Sequence, residues 1–431
     1  MSGAAAWCSI TATAQVSPEA VHDLASPDAN VRLRGAQRLK EAAPPEAAVP
    51  LAALVTDPQD DVQFAAIAAE VNIFLADKIV PRRRVGFVIE VRNKIAADAA
   101  FSAGPLAIGP WPVPMEVLTA LRTAVRDDNR QVGLEALYAF GTLGVEPAGN
   151  RRRDLLRSAG PDLAAMIGAA DPALRLAAVR VIGRLFLKRP RDQPIDPDVG
   201  DAVISALNDA DRGVKSAAMA SLGAMRYERA VQALADLFQH YGRGDLGMAA
   251  FDALARIAHL STATLFSAQL AGKNAALKEM AIEGVGRLGD RSRVADVEEA
   301  LEGERNDSVL LAGRFALVVL ENLPIDPLTE ALAKPRQRDQ ARQYLVEIAP
   351  GRSTAFNRQA QDPDARLRAD VADILGLGGD EAALTVVEPM MNDRDPQVAR
   401  AAERAVARLR ASRPTIEQPS TQRSPSTLRS S

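Results

Sequence analysis

The stretch Asp211-Arg-Gly-Val214-Lys-Ser-Ala-Ala218-Met-Ala-Ser-Leu222-Gly223 decides the fold, because the chain repeats it. An Asp or Asn is followed three residues later by Val or Leu. Four residues on comes Ala or Gly, and four further a large apolar residue, often then Gly. Asp171–Gly183 and Asn274–Gly286 follow the same pattern. Anchors recur at Val31, Val62, Val132, Leu174, Val214, Leu246, Leu277, Val309, Leu367 and Val398, in steps of 31, 70, 42, 40, 32, 31, 32, 58 and 31 residues. The 58-residue step is long enough for a degenerate unit around Ala331–Ala349, and the 70-residue step for either another unit or a large insertion. Such self-similarity marks an architecture in which each unit buries its apolar face by stacking on its neighbours.

Each element of the pattern has a physical role. Asp28, Asn129, Asp171, Asp211, Asn274, Asn306, Asp364 and Asp395 stand three residues before their anchors, where an N-cap side chain accepts from an orphan backbone N–H. Gln59 and Arg243 are the exceptions. Pro172 and Pro396 directly follow caps, at the position where a missing N–H costs nothing. An anchor and the residues four and eight beyond it share one helix face, as do Val214, Ala218 and Leu222. Gly141, Gly183, Gly223, Gly286 and Gly376 lie nine residues past their anchors. A mid-helix Gly costs about 1 kcal/mol against Ala, so its recurrence at one register predicts a close helix contact or a bend. Upstream of the caps are shorter apolar helices, among them Leu51–Val55, Val117–Val125, Leu163–Ile167, Val203–Leu207 and Leu384–Met391.

These stretches resemble the HEAT repeat family in its short bacterial form, over roughly residues 16–411. The resemblance implies an all-α fold, a right-handed α-α superhelix of about eleven helical hairpins with the second helices on the concave side. HEAT arrays serve many tasks, so function has to be argued from sites. Deoxyhypusine hydroxylase, a HEAT enzyme, holds iron with His-Glu motifs, and this chain has no His-Glu dipeptide. HEAT-like alkylpurine DNA glycosylases use a basic concave face, whereas this chain carries 52 basic against 55 acidic residues, so no nucleic-acid partner is expected. Phycobilin lyases share the repeat type, but no residue singles them out.

The three histidines, His22, His240 and His259, have no metal-ligand spacing, and no phosphate-binding loop or nucleophile elbow occurs, so neither cofactor nor metal is expected. Cys8 is the sole cysteine, so no disulfide forms within the chain. Residues 1–15 carry no charge and contain Ala12-Thr13-Ala14, which reads either as the remnant of a signal peptide or as a disordered Ala-rich start. The first reading implies an exported, periplasmic protein, the second a cytoplasmic one. No segment has the apolar length of a transmembrane helix. Residues 412–431 lack periodicity and are expected to be disordered.

The array is irregular at residues 72–114. A helix is expected to run through Phe74-Leu75 to Ile79, then an apolar-periodic stretch from Val85 to Phe101. A Pro- and Gly-rich loop around Trp111 follows, which either seals an edge of the stack or contacts a partner. Basic clusters at Arg82–Arg84, Arg151–Arg153 and Lys188–Arg191 are assigned to connections and read either as solvated loop charge, the preferred reading, or as one ridge that grips an acidic partner.

Helical phase places the residues six and ten beyond each anchor on an exposed concave ridge. Tyr138, Arg180, Arg184, Arg256, Arg287, Phe315 and Arg404, with Trp111 in the loop, are the candidate partner-binding residues. The expected function is a non-catalytic scaffold that holds a protein or peptide. The alternatives are a lyase-like HEAT enzyme and a structural subunit of an envelope-associated assembly.

Overall fold

The structure, a computed structural model, describes residues 18–76, 82–85, 88–91, 96–109, 112–144, 149–187 and 194–411. The uncharged N-terminal segment, the tail beyond Ala411, the side chains of the Arg82–Arg84 and Arg151–Arg153 clusters, the Lys188–Arg191 cluster and Trp111 lie outside the described residues.

Eleven units follow one another. The first pairs α1 (Pro18–Leu24) with α2 (Ala29–Ala42), and the second α3 (Ala48–Ala52) with α4 (Asp60–Phe74). An inserted segment then supplies β1 (Arg82–Val85), β2 (Val88–Val91) and α5 (Ala97–Ser102). Unit 3 is α6 (Met115–Ala124) and α7 (Arg130–Leu143), unit 4 α8 (Gly149–Met166) and α9 (Pro172–Phe186), and unit 5 α10 (Pro197–Ser205) and α11 (Arg212–Met225). Unit 6 is α12 (Val231–Tyr241) and α13 (Asp245–Ile257), and unit 7 α14 (Ala263–Leu270) and α15 (Ala275–Leu288). Unit 8 is α16 (Val294–Leu301) and α17 (Asp307–Glu321), and unit 9 α18 (Asp326–Ala331) and α19 (Arg338–Ile348). Unit 10 begins with two 3-10 turns and continues as α20 (Ala365–Gly378), and unit 11 is α21 (Leu384–Met390) and α22 (Pro396–Ala411). Among the described residues the fold is an all-α superhelical stack apart from the β-hairpin in the insertion.

All eight Asx residues accept from backbone N–H groups in the first turn of their helices, for instance Asp211 from Val214 at 2.9 Å and Asp28 from Asn30 at 2.8 Å. The degenerate unit predicted around Ala331–Ala349 is unit 9, whose second helix starts at Arg338 without a capping side chain.

The recurring glycines make close contacts with the next second helix. A Cβ at Gly286 would lie 2.8 Å from the Cα of Ala316, at Gly223 2.9 Å from that of Ala253, and at Gly376 2.8 Å from that of Ala405. Each partner stands seven residues past the following anchor, as do Val181 against Gly141 and Ser221 against Gly183.

A second inter-unit bond was not visible in the single-unit pattern. The residue after an anchor reaches the acid five residues before the next anchor. Arg32 binds Asp57, Arg175 binds Asp209 and Arg368 binds Asp393, each through Nε and Nη2 at 2.6–2.9 Å, and Lys278 binds Glu304 at 3.0 Å. Gln63 donates to Asp127 at the same register. Each acid also accepts the backbone N–H of its own unit's cap position, as Asp209 does from Asp211 at 2.7 Å. The hydrogen bond from Arg175 holds Asp209 below the usual carboxylate range. Backbone N–H groups of Asn306 and Arg305, together with Lys278, push Glu304 down to about 2.

Three local expectations are corrected. The helix expected to reach Ile79 stops at Phe74, because Leu75 turns extended and bridges Ile108, with Ala76 N–H donating to Ala107 and Gly109 N–H to Phe74 at 2.7 Å. Among the described residues, the periodic stretch from Val85 is helical at α5. Val88–Val91, rich in β-branched residues, pairs antiparallel with Arg82–Val85 instead. Arg151–Arg153 lie within α8, not in a connection.

Glu70 departs from its register. The position eight past each anchor is otherwise apolar, from Leu39 to Val406, yet Glu70 occupies it in α4, fully buried, with neither carboxylate oxygen hydrogen-bonded. Burial raises its pKa well above the ordinary carboxyl value.

Two measurements check this packing. Gly286→Ala gains about 1 kcal/mol of helix propensity but must overpack Ala316 at a cost near the upper end of about 1–3 kcal/mol, so urea denaturation should show a net loss of about 1–2 kcal/mol. Glu70→Leu should stabilise by about 1–3 kcal/mol at neutral pH. Because burial raises the folded-state pKa of Glu70 above that of the unfolded chain, wild-type stability should fall as pH rises from about 4.5. Glu70→Gln should lose that slope, and an unchanged slope would refute the assignment.

Candidate functional site

The second helices line the inside of the superhelix, and their curvature brings distant units together. Arg226, closing α11 in unit 5, donates to Glu347 of unit 9 at 2.8 Å, and Arg287 of unit 7 donates to the same carboxylate at 3.0 and 3.1 Å. Tyr344 of α19 donates its hydroxyl to Glu283 and stacks on Phe315, with ring centroids 4.4 Å apart. Gln340 bonds Glu279 at 2.8 Å. Helix α19 therefore packs across the inner faces of units 5, 7 and 8.

This overturns the expected exposed ridge. Phe315 is 1% exposed and Tyr138 7%, and the Arg287 side chain is 4% exposed. The phase was read for one straight helix, whereas the inward positions of successive units converge on the superhelix axis and bury one another. Arg256 pairs with Asp252 at 2.8 Å, Arg287 with Glu283 at 2.9 Å, and Arg404 with Asp373 at 3.4 Å. Burial favours neutral Arg287, but Glu347 and Glu283 outweigh it and hold its pKa raised. Burial likewise works against the Glu347 carboxylate, but Arg287 and Arg226 bring its pKa below the ordinary value. Glu279, desolvated and close to Glu283 and Asp252, is pushed up to about 7.

Sequence reasoning missed Tyr344, Glu347 and Gln340, since unit 9 has no recognisable anchor to set their phase. It also missed Arg226, two residues beyond its register.

Arg180 and Arg184 on α9 are different. The Arg180 guanidinium lies 5.3 Å from the Phe101 ring centroid and 5.7 Å from that of Tyr138, whose hydroxyl accepts from it at 3.3 Å. The Arg184 guanidinium lies 3.9 Å from the Phe101 ring centroid and donates to the Phe101 carbonyl. Both are partly exposed, and neither meets a carboxylate among the described residues. Burial, then the charge of Arg180, lowers Arg184 to about 10. Phe101 is supplied by the insertion, where α5 packs on α7 and Glu135 accepts from the N–H of Ala97 at 3.2 Å. Arg408 of the last helix donates to the Ile108 carbonyl of the same insertion at 2.7 Å.

Among the described residues no group of three or more His, Cys, Asp or Glu could hold a metal ion, and no helix is long and apolar enough to cross a membrane.

Residues 160–255 match the family of HEAT repeats. The described residues as a whole form an all-α superhelical stack of helical hairpins. No curated protein matches the sequence. Solved structures with a similar course include importin beta, at 12% identity and a TM-score of 0.49, covering 92% of this chain and 60% of that one. A computationally designed armadillo repeat protein for modular peptide recognition has 18% identity and a TM-score of 0.38, covering 56% and 98%. The CpcE–CpcF complex of phycocyanin lyase from Nostoc has 17% identity and a TM-score of 0.35, covering 68% and 94%.

The shared carboxylate is testable. Glu347→Gln removes the counter-charge bridging Arg226 and Arg287, and should destabilise the protein by about 3 kcal/mol in chemical denaturation. Because the folded pKa of Glu347 is depressed, its contribution is present above the ordinary carboxyl value and fades as pH falls below it. The difference between wild type and variant should therefore shrink in acid.

Proposed function

We propose that the protein is a non-catalytic scaffold that holds a protein or peptide partner in its inner groove, at units 3 and 4. The observation that carries this reading is the unequal use of charge along the groove. Arg226, Arg256, Arg287 and Arg404 are each bonded to a carboxylate of the chain, whereas Arg180 and Arg184 are not. Side chains committed to internal ion pairs are costly to recruit for a partner, and guanidinium groups with unused donors are not. Of the candidate residues, these two are available for recognition. Tyr138 and the inserted Phe101 hold them in place, and the other candidates in the groove act mainly as structural supports.

Affinity capture from cells of the source organism compares wild type, Arg180→Glu with Arg184→Glu, and a control at the exposed Arg366→Glu. Proteins captured by wild type and the control should be lost with the groove variant. An identical captured set for all three would rule out this groove. A stoichiometric chromophore or metal on the purified protein would overturn the non-catalytic part of the reading.

A further inference from the structure

We infer that Arg180 and Arg184 form a carboxylate-recognition site, and that the partner segment is an acidic peptide presenting a pair of Asp or Glu side chains. This rests on the reading that the groove at units 3 and 4 binds a partner.

The two arginines lie one helical turn apart on α9, an arrangement of like charges that destabilises a helix on its own. Among the described residues their acceptors are neutral, the Tyr138 hydroxyl and the Phe101 carbonyl. A guanidinium carries five N–H donors, so most remain unspent on both side chains. Phe101 and Tyr138 fix the two planar groups through cation–π contact, which limits the rotamer entropy lost when a ligand arrives. A preset planar fork matches a carboxylate through two parallel hydrogen bonds. An anion bound there also offsets, by its own charge, the desolvation and the repulsion from Arg180 that now disfavour the Arg184 charge.

The rest of the groove limits the ligand's size and charge. Asp252, Glu283, Glu347 and Asp373 belong to units 6, 7, 9 and 10, so a long polyanion extending from the arginine pair toward the later units would meet carboxylates there. A short acidic motif satisfies both guanidiniums and avoids that repulsion. In an extended peptide, side chains two residues apart fall on one face about 6–7 Å from each other, comparable to the one-turn spacing of the arginines. Residues 1–17 hold no acid and residues 412–431 hold only Glu417, so neither segment carries such a pair.

The test uses full-length protein and a fluorescein-labelled peptide with two Glu residues separated by one residue, against the same peptide with both replaced by Gln. Fluorescence anisotropy should show the Glu peptide binding wild type at least about tenfold more tightly. Added salt should narrow that advantage. Arg180→Gln with Arg184→Gln should abolish it, while Arg180→Lys with Arg184→Lys, which keeps the charge but not the planar fork, should retain part. Circular dichroism and thermal melting confirm that both double variants are folded. Equal affinity of the two peptides for wild type would overturn the inference, as would a Glu preference that survives in the Gln double variant. A phosphoserine version bound about tenfold more tightly than the Glu peptide would replace carboxylate with phosphate as the recognised group and so overturn it too. If cellular capture depends on the arginine pair while the synthetic peptides do not discriminate, the acidic class fails and the groove reading stands.

Discussion

The close approach between the glycine of one second helix and the backbone of the next is the constraint on which the rest of the structure depends. At Gly223, Gly286 and Gly376 there is no room for a methyl group against the following helix. A stack whose inner helices are drawn together this closely turns toward its inner side, and the turn accumulates from unit to unit. The cation–carboxylate clasps at Arg32–Asp57, Arg175–Asp209, Lys278–Glu304 and Arg368–Asp393 fix the register within which the approach is made. Each clasp ties a helix to the capping turn of the next unit, so cap, clasp and glycine contact operate as one joint.

Curvature then explains the groove. Helices separated by two or four units converge, and α19 comes to rest against side chains of units 5, 7 and 8. Charged residues that would be solvated on a straight array are desolvated there. They persist because each finds a counter-charge, as Arg287 does between Glu283 and Glu347. Glu70 is the contrasting case: a carboxyl placed in the core register without a hydrogen-bond partner, where burial raises its pKa well above the ordinary value.

The legibility of the sequence follows the same physics. Caps, anchors and glycines are local, so their spacing within one helix revealed them, and the eight Asx caps form as that spacing requires. The direction of Arg180, Arg256 and Phe315 toward the groove was also readable from helical phase. Their burial was not, because phase says nothing of superhelical pitch. The clasps escaped notice although both members recur, since the partner lies in the next unit and the step between units varies. Unit 9 was visible only as a gap in the anchors, so Tyr344 and Glu347 could not be assigned to the groove. The hairpin at 82–91 was missed because its apolar residues were read with helical period, when Val88, Ile89 and Val91 favour a strand.

The insertion joins these arguments. Its carbonyls accept from Arg184 of unit 4 and from Arg408 of unit 11, whose positions in the sequence are far apart. The same segment supplies the Phe101 ring beneath both unpaired arginines. A carbonyl is a weaker acceptor for a guanidinium than a carboxylate. The insertion thus orients the arginines without neutralising them, whereas the internal acids elsewhere in the groove do both. Had an Asp or Glu stood where the Phe101 carbonyl accepts, the pair would be one more structural bridge. Because the acceptor is neutral, the positive charge stays concentrated beside the site where the insertion meets the last repeat.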